Sequence, residues 1–407
     1  MIVLYDIVIF LAAALLKVLA LFNDKLALFV NGRKKVFATL ASFSRNEKPI
    51  LWMHCASLGE FEQGRPVLEA KAIQEKYQVV LTFFSPSGYE VQKHYNKAAL
   101  VLYLPLDSKR NVRKFIKILN PSIAIFVKYE IWPNYLNELG KNNIKTLLIS
   151  GIFRENQFLF SPLGAFIRKA MQQFEIVFVQ DEKSKKLVEK IKIKDVKIAG
   201  DTRFDRVYEI VKQDNTLDFV SEFKANKPLL VAGSTWAEDE VLLVNYINTS
   251  LVDEKVIIAP HNINNEAIKK LKNSLTKKTI LYSEMIGKQL TDYEVLIVDT
   301  VGLLTKVYSY ATISYVGGGF GKAGIHNILE PATFGVPVVI APNYYVFKEA
   351  VDLVEKNAIF VIQNQTDFNS IVKQLFEDNS LRKTKGNLLQ KYIGNNAGAT
   401  VKIVSYL

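Results

Sequence analysis

From residue 49 onward, short runs of β-branched and aliphatic residues alternate with longer helical stretches, and this alternation restricts the chain to few architectures. The predicted strands of a first series are Ile50–His54, Val79–Phe84, Leu100–Leu104, Ile123–Val127, Thr146–Ser150 and Ile176–Val179. A second series comprises Leu229–Ala232, Val256–Ala259, Val295–Val298, Ile313–Val316 and Val338–Ile340. Apolar runs this short, separated by helices, read as βαβ units whose parallel sheets are covered on both faces. They are too many for one comfortable sheet, and the polar, Pro-containing stretch Gln213–Pro228 divides them. The prediction is an α/β fold of two doubly wound, Rossmann-like domains facing a cleft, with ligands at the carboxyl ends of the strands. The expected boundaries are an anchor helix at 1–30, an N-terminal domain at 31–210, a C-terminal domain at 211–385 and a returning C-terminal helix at 386–407. No internal repeat of fixed period is visible.

Residues Met1–Phe22 are apolar apart from Asp6, Lys17 and a tyrosine. The unbroken run Ile7–Leu16 is shorter than the ~20 residues of a spanning helix, but counting through Lys17 extends it to Phe22. Arg33, Lys34 and Lys35 follow, a cationic cluster suited to anionic lipid. The segment has no basic n-region or small-residue cleavage site, so it reads as a membrane anchor rather than a secretory signal. The 52 basic and 40 acidic residues leave a net charge of +12, which favours anionic partners. Lys109, Arg110, Arg113, Lys114 and Lys117 form a basic stripe that also reads as a solvated helix face. The single cysteine, Cys55, excludes a disulfide framework or Cys-based zinc site and points to a reducing compartment. The four histidines form neither HExxH nor HxH pairings, so no metal centre is expected.

Chemistry-bearing residues cluster where strands should end. Gly317-Gly318-Gly319-Phe320-Gly321 follows a strand, and His326-Asn327-Ile328-Leu329-Glu330-Pro331 is expected to open the next helix. Such a turn lets backbone N–H groups approach a phosphate. It is neither a Walker A loop nor a GxGxxG fingerprint. Glu330, in the first helical turn, is placed to accept hydrogen bonds from ribose hydroxyls, or simply to complement the helix dipole. Gly233-Ser234-Thr235 and Pro260-His261-Asn262 stand after two further strands, where ordinary turn chemistry would also put them. In the first series, Gly59-Glu60 lies at a strand-to-helix turn and Glu130 just after Ile123–Val127. Two carboxylates at the carboxyl ends of two parallel strands can converge on one substrate, where a positioned one can take the proton from an attacking hydroxyl, or serve as helix caps. Arg203, between the two series, is a permanent cation near the hinge or a surface arginine.

Taken together, Ser57-Leu58-Gly59-Glu60, Glu130-Ile131-Trp132-Pro133, Gly200–Asp205, Gly317–Gly319 and His326–Ala332 resemble the 3-deoxy-D-manno-octulosonic acid (Kdo) transferases, in order and close to expected position. The resemblance runs from the N-terminal anchor to about residue 355. It implies a GT-B glycosyltransferase that moves Kdo from CMP-Kdo to a lipid A precursor at the inner membrane, cytoplasmic side, with inversion and without metal or cofactor. It implies that Glu60 is the general base and that Glu130 and Arg203 stabilise the transition state. Ser234, Thr235, Pro260, His261, Val301, Gly302, Leu303, Gly318, Gly319, Asn327, Ile328, Leu329 and Glu330 then belong to the donor site. The family's usual Pro-Arg-His is Pro260-His261-Asn262 in this chain, and its usual Met-Gly-Glu is Val301-Gly302-Leu303. Arg203 stands where lysine is common.

Two other function classes fit the pattern less well. Another GT-B reaction, such as transfer from a UDP-sugar or nucleotide-sugar 2-epimerisation, gives the apolar N-terminus no purpose. A membrane-tethered protein binding anionic lipid or nucleic acid would use the charge, but the interleaved aromatics of a nucleic-acid groove are absent, so no nucleic-acid partner is expected.

Overall fold

The computed structural model describes residues 1–322 and 324–407, which divide into two compact units: Met1–Arg206 with Asn396–Leu407, and Val207–Asn395. In the first unit the strands are β1 (Ile50–Cys55), β2 (Gln78–Phe83), β3 (Leu100–Tyr103), β4 (Ile123–Val127), β5 (Lys145–Gly151), β6 (Ile176–Val179) and β7 (Val196–Ile198). They form one parallel sheet in the order β3-β2-β1-β4-β5-β6-β7. Every residue of β1, β2 and β4 is buried, because helices cover both faces. Successive side chains alternate between two cores: Trp52, Val80, Ala124 and Phe126 on one face, Met53, Leu81, Ile125 and Val127 on the other.

The second unit repeats the plan with β8 (Leu229–Thr235), β9 (Lys255–Pro260), β10 (Thr279–Leu281), β11 (Val295–Ile297), β12 (Ile313–Val316), β13 (Val338–Ile340) and β14 (Phe360–Val361). All are parallel, in the order β10-β11-β9-β8-β12-β13-β14. In each sheet the order reverses beside the first strand, between β1 and β4 and between β8 and β12. These switch points are where a doubly wound sheet opens a crevice at its strand ends.

Three strands escape the sequence pattern: β7, β10 and β14. All are two or three residues long and lie at sheet edges. An edge strand needs less apolar surface than a central one, so its hydrophobic run is short and mixed, as in Val196-Lys197-Ile198. The stretch Gln213–Pro228, read as a separator, contains the helix Asp218–Lys224, which buries Val220 and Phe223.

Before β1 come the helices Ile2–Leu19 and Asp24–Lys34, with no fully buried residue in either. The first is long and apolar enough to cross a membrane, with a mean hydropathy of 2.5, and it stops at Leu19, short of Phe22. At the other end of the chain, the helix Asn379–Asn396 is followed by Gly398 and a short helix Ala399–Val404, whose Ala399 and Ile403 enter the core of the first unit. Asp205 holds this segment: its carboxylate accepts from the Gly398 amide, from the Thr400 amide at 2.7 Å and from the Thr400 hydroxyl at 2.8 Å. Replacing Asp205 with alanine removes all three acceptors. Hydrogen exchange should then quicken at least ~10-fold over residues 398–404, an opening made easier by more than about 1.4 kcal/mol, while β1, β2 and β4 keep their protection. Unchanged exchange there would show that the apolar contacts alone hold the segment.

Candidate active site

In the first unit, β1 and β4 lie side by side at the switch point and deliver one carboxylate each. After β1 the chain turns at Ser57 into the helix Leu58–Glu69. Ser57 and Glu60 form a capping box: the Glu60 Oε2 accepts from the Ser57 amide at 3.0 Å and from the Ser57 hydroxyl. The cap fixes the side chain at 8% exposure, with its other oxygen, Oε1, 3.8 Å from the Lys128 Nζ. Lys128 closes β4 in the left-handed region, φ +70°, a conformation that costs a residue bearing a Cβ ~1–3 kcal/mol. That turn brings Glu130 back toward β1, where its Oε2 accepts from the Trp132 indole N–H at 3.0 Å. Burial, followed by the negative charges of Glu60 and then Glu130, pushes the Cys55 thiol well up, so both acids sit near one buried sulfur.

Behind Glu130 stands His54, fully buried in β1, with its Nε2 3.6 Å from the Glu130 Oε2. Its Nδ1 lies 3.0 Å from the Thr82 hydroxyl, which in turn accepts from the Trp52 indole N–H at 2.8 Å. Nδ1 also lies 3.2 Å from the Thr82 carbonyl oxygen, and the Thr82 hydroxyl donates to the Met53 carbonyl at 3.5 Å, so His54 is tied to β2 through its Nδ1 side. Sequence reading assigned His54 and Trp132 to no role; the His54 contacts cross from one strand to another, while Trp132 acts on Glu130 two residues before it.

Arg203 is not a loose cation. Its Nε and Nη2 donate to the buried Asp201 carboxylate at 2.9 and 2.7 Å, and the Gln63 amide reaches both Asp201 oxygens at 3.2 Å. Burial pushes the Asp201 carboxyl up, but the Arg203 charge and the hydrogen bonds outweigh it and hold the group below its ordinary range. The pair fixes Arg203 beside the helix that carries Glu60.

In the second unit the predicted donor-site residues gather at the ends of β8, β9, β11 and β12. Ser234, with φ +55°, and the buried Thr235 end β8; Pro260 ends β9, and the His261 amide donates to the Thr235 carbonyl at 2.9 Å. The glycine loop crosses directly over them. A Cβ on Gly317 would lie 2.6 Å from the Ser234 carbonyl oxygen, and Gly318 adopts φ +97°, so the loop requires glycine at both positions. Asp239, fully buried, pins the loop. It accepts from the Gly318 amide at 2.8 Å, the Trp236 amide at 2.9 Å and the Tyr315 hydroxyl at 2.6 Å.

Trp236, His261 and His326 form a stacked column, with ring centroids 4.8 Å apart for Trp236–His261 and 4.2 Å for His261–His326. The Trp236 indole N–H donates to the His326 Nε2 at 2.8 Å. Burial, and next the neighbouring His261, pull the His326 pKa down to about 4. Thr235, Trp236, Glu240, Pro260 and Asn262 line a concavity of about 390 Å³ beside this column. Among the described residues, no group of three or more His, Cys, Asp or Glu side chains is arranged to hold a metal ion.

The helix expected to open at His326 begins at Leu329 and runs only to Thr333. Pro331 stands in its first turn, where a missing N–H is tolerated; Gly335, in the left-handed region at φ +70°, ends the helix, and Pro337 leads into β13. A phosphate therefore cannot be assigned to a long helix N-terminus; within the glycine loop the amides of Gly317, Gly318 and Gly321 are committed to the Gly233 carbonyl, Asp239 and the Gly318 carbonyl, so the candidate amide contact is at Gly319. Ile328 and Leu329 are core residues, 1% and 0% exposed, so only their backbones are available to a ligand. Glu330 accepts from the Thr305 hydroxyl at 2.7 Å and from the Asn327 amide at 3.0 Å. Thr305 follows the exposed loop Val301-Gly302-Leu303, so these two predicted segments meet around one carboxylate.

The depressed His326 pKa makes stability pH-dependent. The unfolded chain, with an ordinary histidine near 6.5, binds more protons than the folded one between pH 6.5 and about 4. The stability contributed by neutral His326 is complete above pH 6.5 and is lost as the pH falls through that window. The urea midpoint of His326→Gln should fall less than that of the wild type between pH 6.5 and 4.5. Parallel curves would mean that the imidazole titrates normally in the fold.

Comparison with known proteins agrees with this arrangement. Residues 31–206 match the family described as 3-deoxy-D-manno-octulosonic-acid transferase (kdotransferase). A bifunctional glycosyltransferase/methyltransferase of Fusobacterium nucleatum is 24% identical over 88% of this chain, which spans only 59% of that relative's length. A 3-deoxy-D-manno-octulosonic acid transferase of Aquifex aeolicus is 27% identical over 85% of this chain and 94% of its own. Among solved structures, the UDP-GlcNAc 2-epimerase of Neisseria meningitidis superposes with a TM-score of 0.61 at 15% identity, covering 88% of this chain and 98% of that one. The fold is thus of the GT-B type. Residues 31–206 thus match the 3-deoxy-D-manno-octulosonic-acid transferase family, and over most of its length the chain is similar to proteins of that name.

Proposed function

We propose that this enzyme transfers Kdo from CMP-Kdo to a sugar hydroxyl of a lipid A precursor, inverting the anomeric centre without a metal ion. It would work at the inner membrane, with both units on the cytoplasmic side and Ile2–Leu19 as the membrane element. The observation that carries the reading is the state of Glu60. Its Oε2 is committed to the Ser57 cap, which immobilises the side chain and leaves Oε1 as the oxygen that takes a proton. The acceptor hydroxyl gives its proton to Oε1 as its oxygen attacks the anomeric carbon. The bond from that carbon to the phosphate oxygen breaks, and CMP leaves with the electron pair. Glu130, oriented by Trp132, and Arg203, fixed by Asp201, support the charges that develop on the sugar.

The donor belongs to the second unit. Glu330 accepts from the ribose hydroxyls, while Ser234, Thr235 and the backbone of Gly318 and Gly319 approach the phosphate. Pro260, His261, Asn327 and the loop Val301–Leu303 flank the nucleotide, with Ile328 and Leu329 contributing backbone groups only. His261 occupies the place of a charged arginine in the family pattern. Its pKa is lowered by burial, so at neutral pH this position offers a stacking surface rather than a charge.

Glu60→Gln keeps the shape and the cap but removes the base. Transfer should fall by about 10²–10⁴-fold while CMP-Kdo affinity, read by calorimetry, stays within ~2-fold. A chelator should leave the wild-type rate unchanged, and CMP should compete better than UDP. A variant with near-normal turnover would remove Glu60 from the base role. Preferential binding of UDP would favour a UDP-sugar enzyme on the same fold.

A further inference from the structure

The helix Ile2–Leu19 has a membrane-sized apolar surface, yet it is joined to its own protein from end to end. Its half-covered positions Ile2, Tyr5, Ile9, Ala13, Leu16 and Ala20 recur every three or four residues, one continuous stripe along the helix. Near the start, the Tyr5 ring packs 5.6 Å from Phe166 and its hydroxyl donates to Asp107 at 2.8 Å. Asp6 pairs with Lys109 at 2.7 Å and accepts from the Asn134 amide at 2.8 Å. Near the far end, Ala13, Leu16 and Ala20 line a groove of about 540 Å³ together with Phe29, Phe37 and Leu106 of the same unit. The next helix is itself tied down, because Arg33 donates to the carbonyls of Leu104 at 2.9 Å and Phe84 at 2.6 Å.

An 18-residue helix is ~27 Å long, close to the thickness of a hydrocarbon core. If it crossed a bilayer, one end would stand a full core thickness away from the unit, and either the Asp6 contacts or the groove would be broken. The opposite face is open and apolar: Val3 is 63% exposed, Phe10 73% and Val18 55%. Exposed Lys17, Lys25, Lys34 and Lys35 lie on the same pair of helices or directly after them, complementary to anionic headgroups.

We infer that Ile2–Leu19 is an in-plane anchor: it lies in the interface of an anionic bilayer, packed on its own unit along one stripe and on lipid along the other. The inference rests on the membrane association proposed above, and not on the identity of the sugar transferred. Spin labels on Val3→Cys, Phe10→Cys and Val18→Cys in the full chain test it without reading activity, since the native Cys55 is buried. The protein is bound to vesicles of phosphatidylethanolamine and phosphatidylglycerol, and depth is measured by collision with oxygen and a water-soluble relaxant. All three labels should lie in lipid at one depth, within about 5 Å, the radius of a helix with its side chains. A crossing helix would bury the Phe10 label ~10 Å deeper than the other two, which overturns the inference. Labels left in water, or spin–spin broadening between two copies without lipid contact, would overturn it equally.

Discussion

Parallel strands buried on both faces leave almost no place for polar chemistry except their ends, and the rest of this molecule is arranged around that constraint. In β1, β2 and β4 nearly every side chain is apolar and packed; of the polar exceptions, His54 and Thr82 are bonded to each other and Gln78, at the start of β2, is bonded to Ser44 and Asn46. Carboxylates and the cap therefore emerge only where the strands stop. Ser57 and Glu60 stand at the first such point in the first unit. The cap that starts the helix is also the device that holds the proposed base, so a local folding rule and a catalytic geometry share one pair of side chains.

The strand ends are also where the backbone is strained. Lys128, Ser150 and Ser234 all take positive φ at or just beyond the carboxyl ends of β4, β5 and β8. Each is a residue with a Cβ in a region that favours glycine; Ser150 is fully buried, and Lys128 and Ser234 are half-buried. Lys128 turns the chain so that Glu130 can return to His54 and Trp132, while Ser234 lets the glycine loop lie across β8. Strain of this kind, kept at switch points of both sheets, marks positions where a side chain must be aimed rather than merely packed.

Much of the fold was legible in the sequence because central strands of a parallel sheet are short unbroken apolar runs, as Ile123–Val127 and Ile313–Val316 show. The edge strands β7, β10 and β14 were not legible, since their stability comes from neighbours rather than from their own composition. In the candidate site, Glu60 and Glu130 were visible by their place after strands. His54, Asp239 and Trp236 were not, because their partners lie far along the chain: Gly318 is 79 residues from Asp239 and His326 is 90 from Trp236. The opening of a helix at His326 was misread because a glycine turn followed by a polar residue resembles a cap, while the left-handed Gly335 stops the helix after one short turn. For the first helix, the covered stripe is itself largely apolar, with Asp6 and Tyr5 as its polar members, so the mean hydropathy of the segment could not reveal that one side was already covered.

The most direct test of the account is mass analysis of the product formed when the purified chain is given CMP-Kdo and a tetraacylated lipid A precursor. The account predicts that the acceptor gains mass in whole Kdo units as CMP is released. A folded enzyme that leaves this acceptor unchanged and turns over a UDP-sugar instead would contradict it.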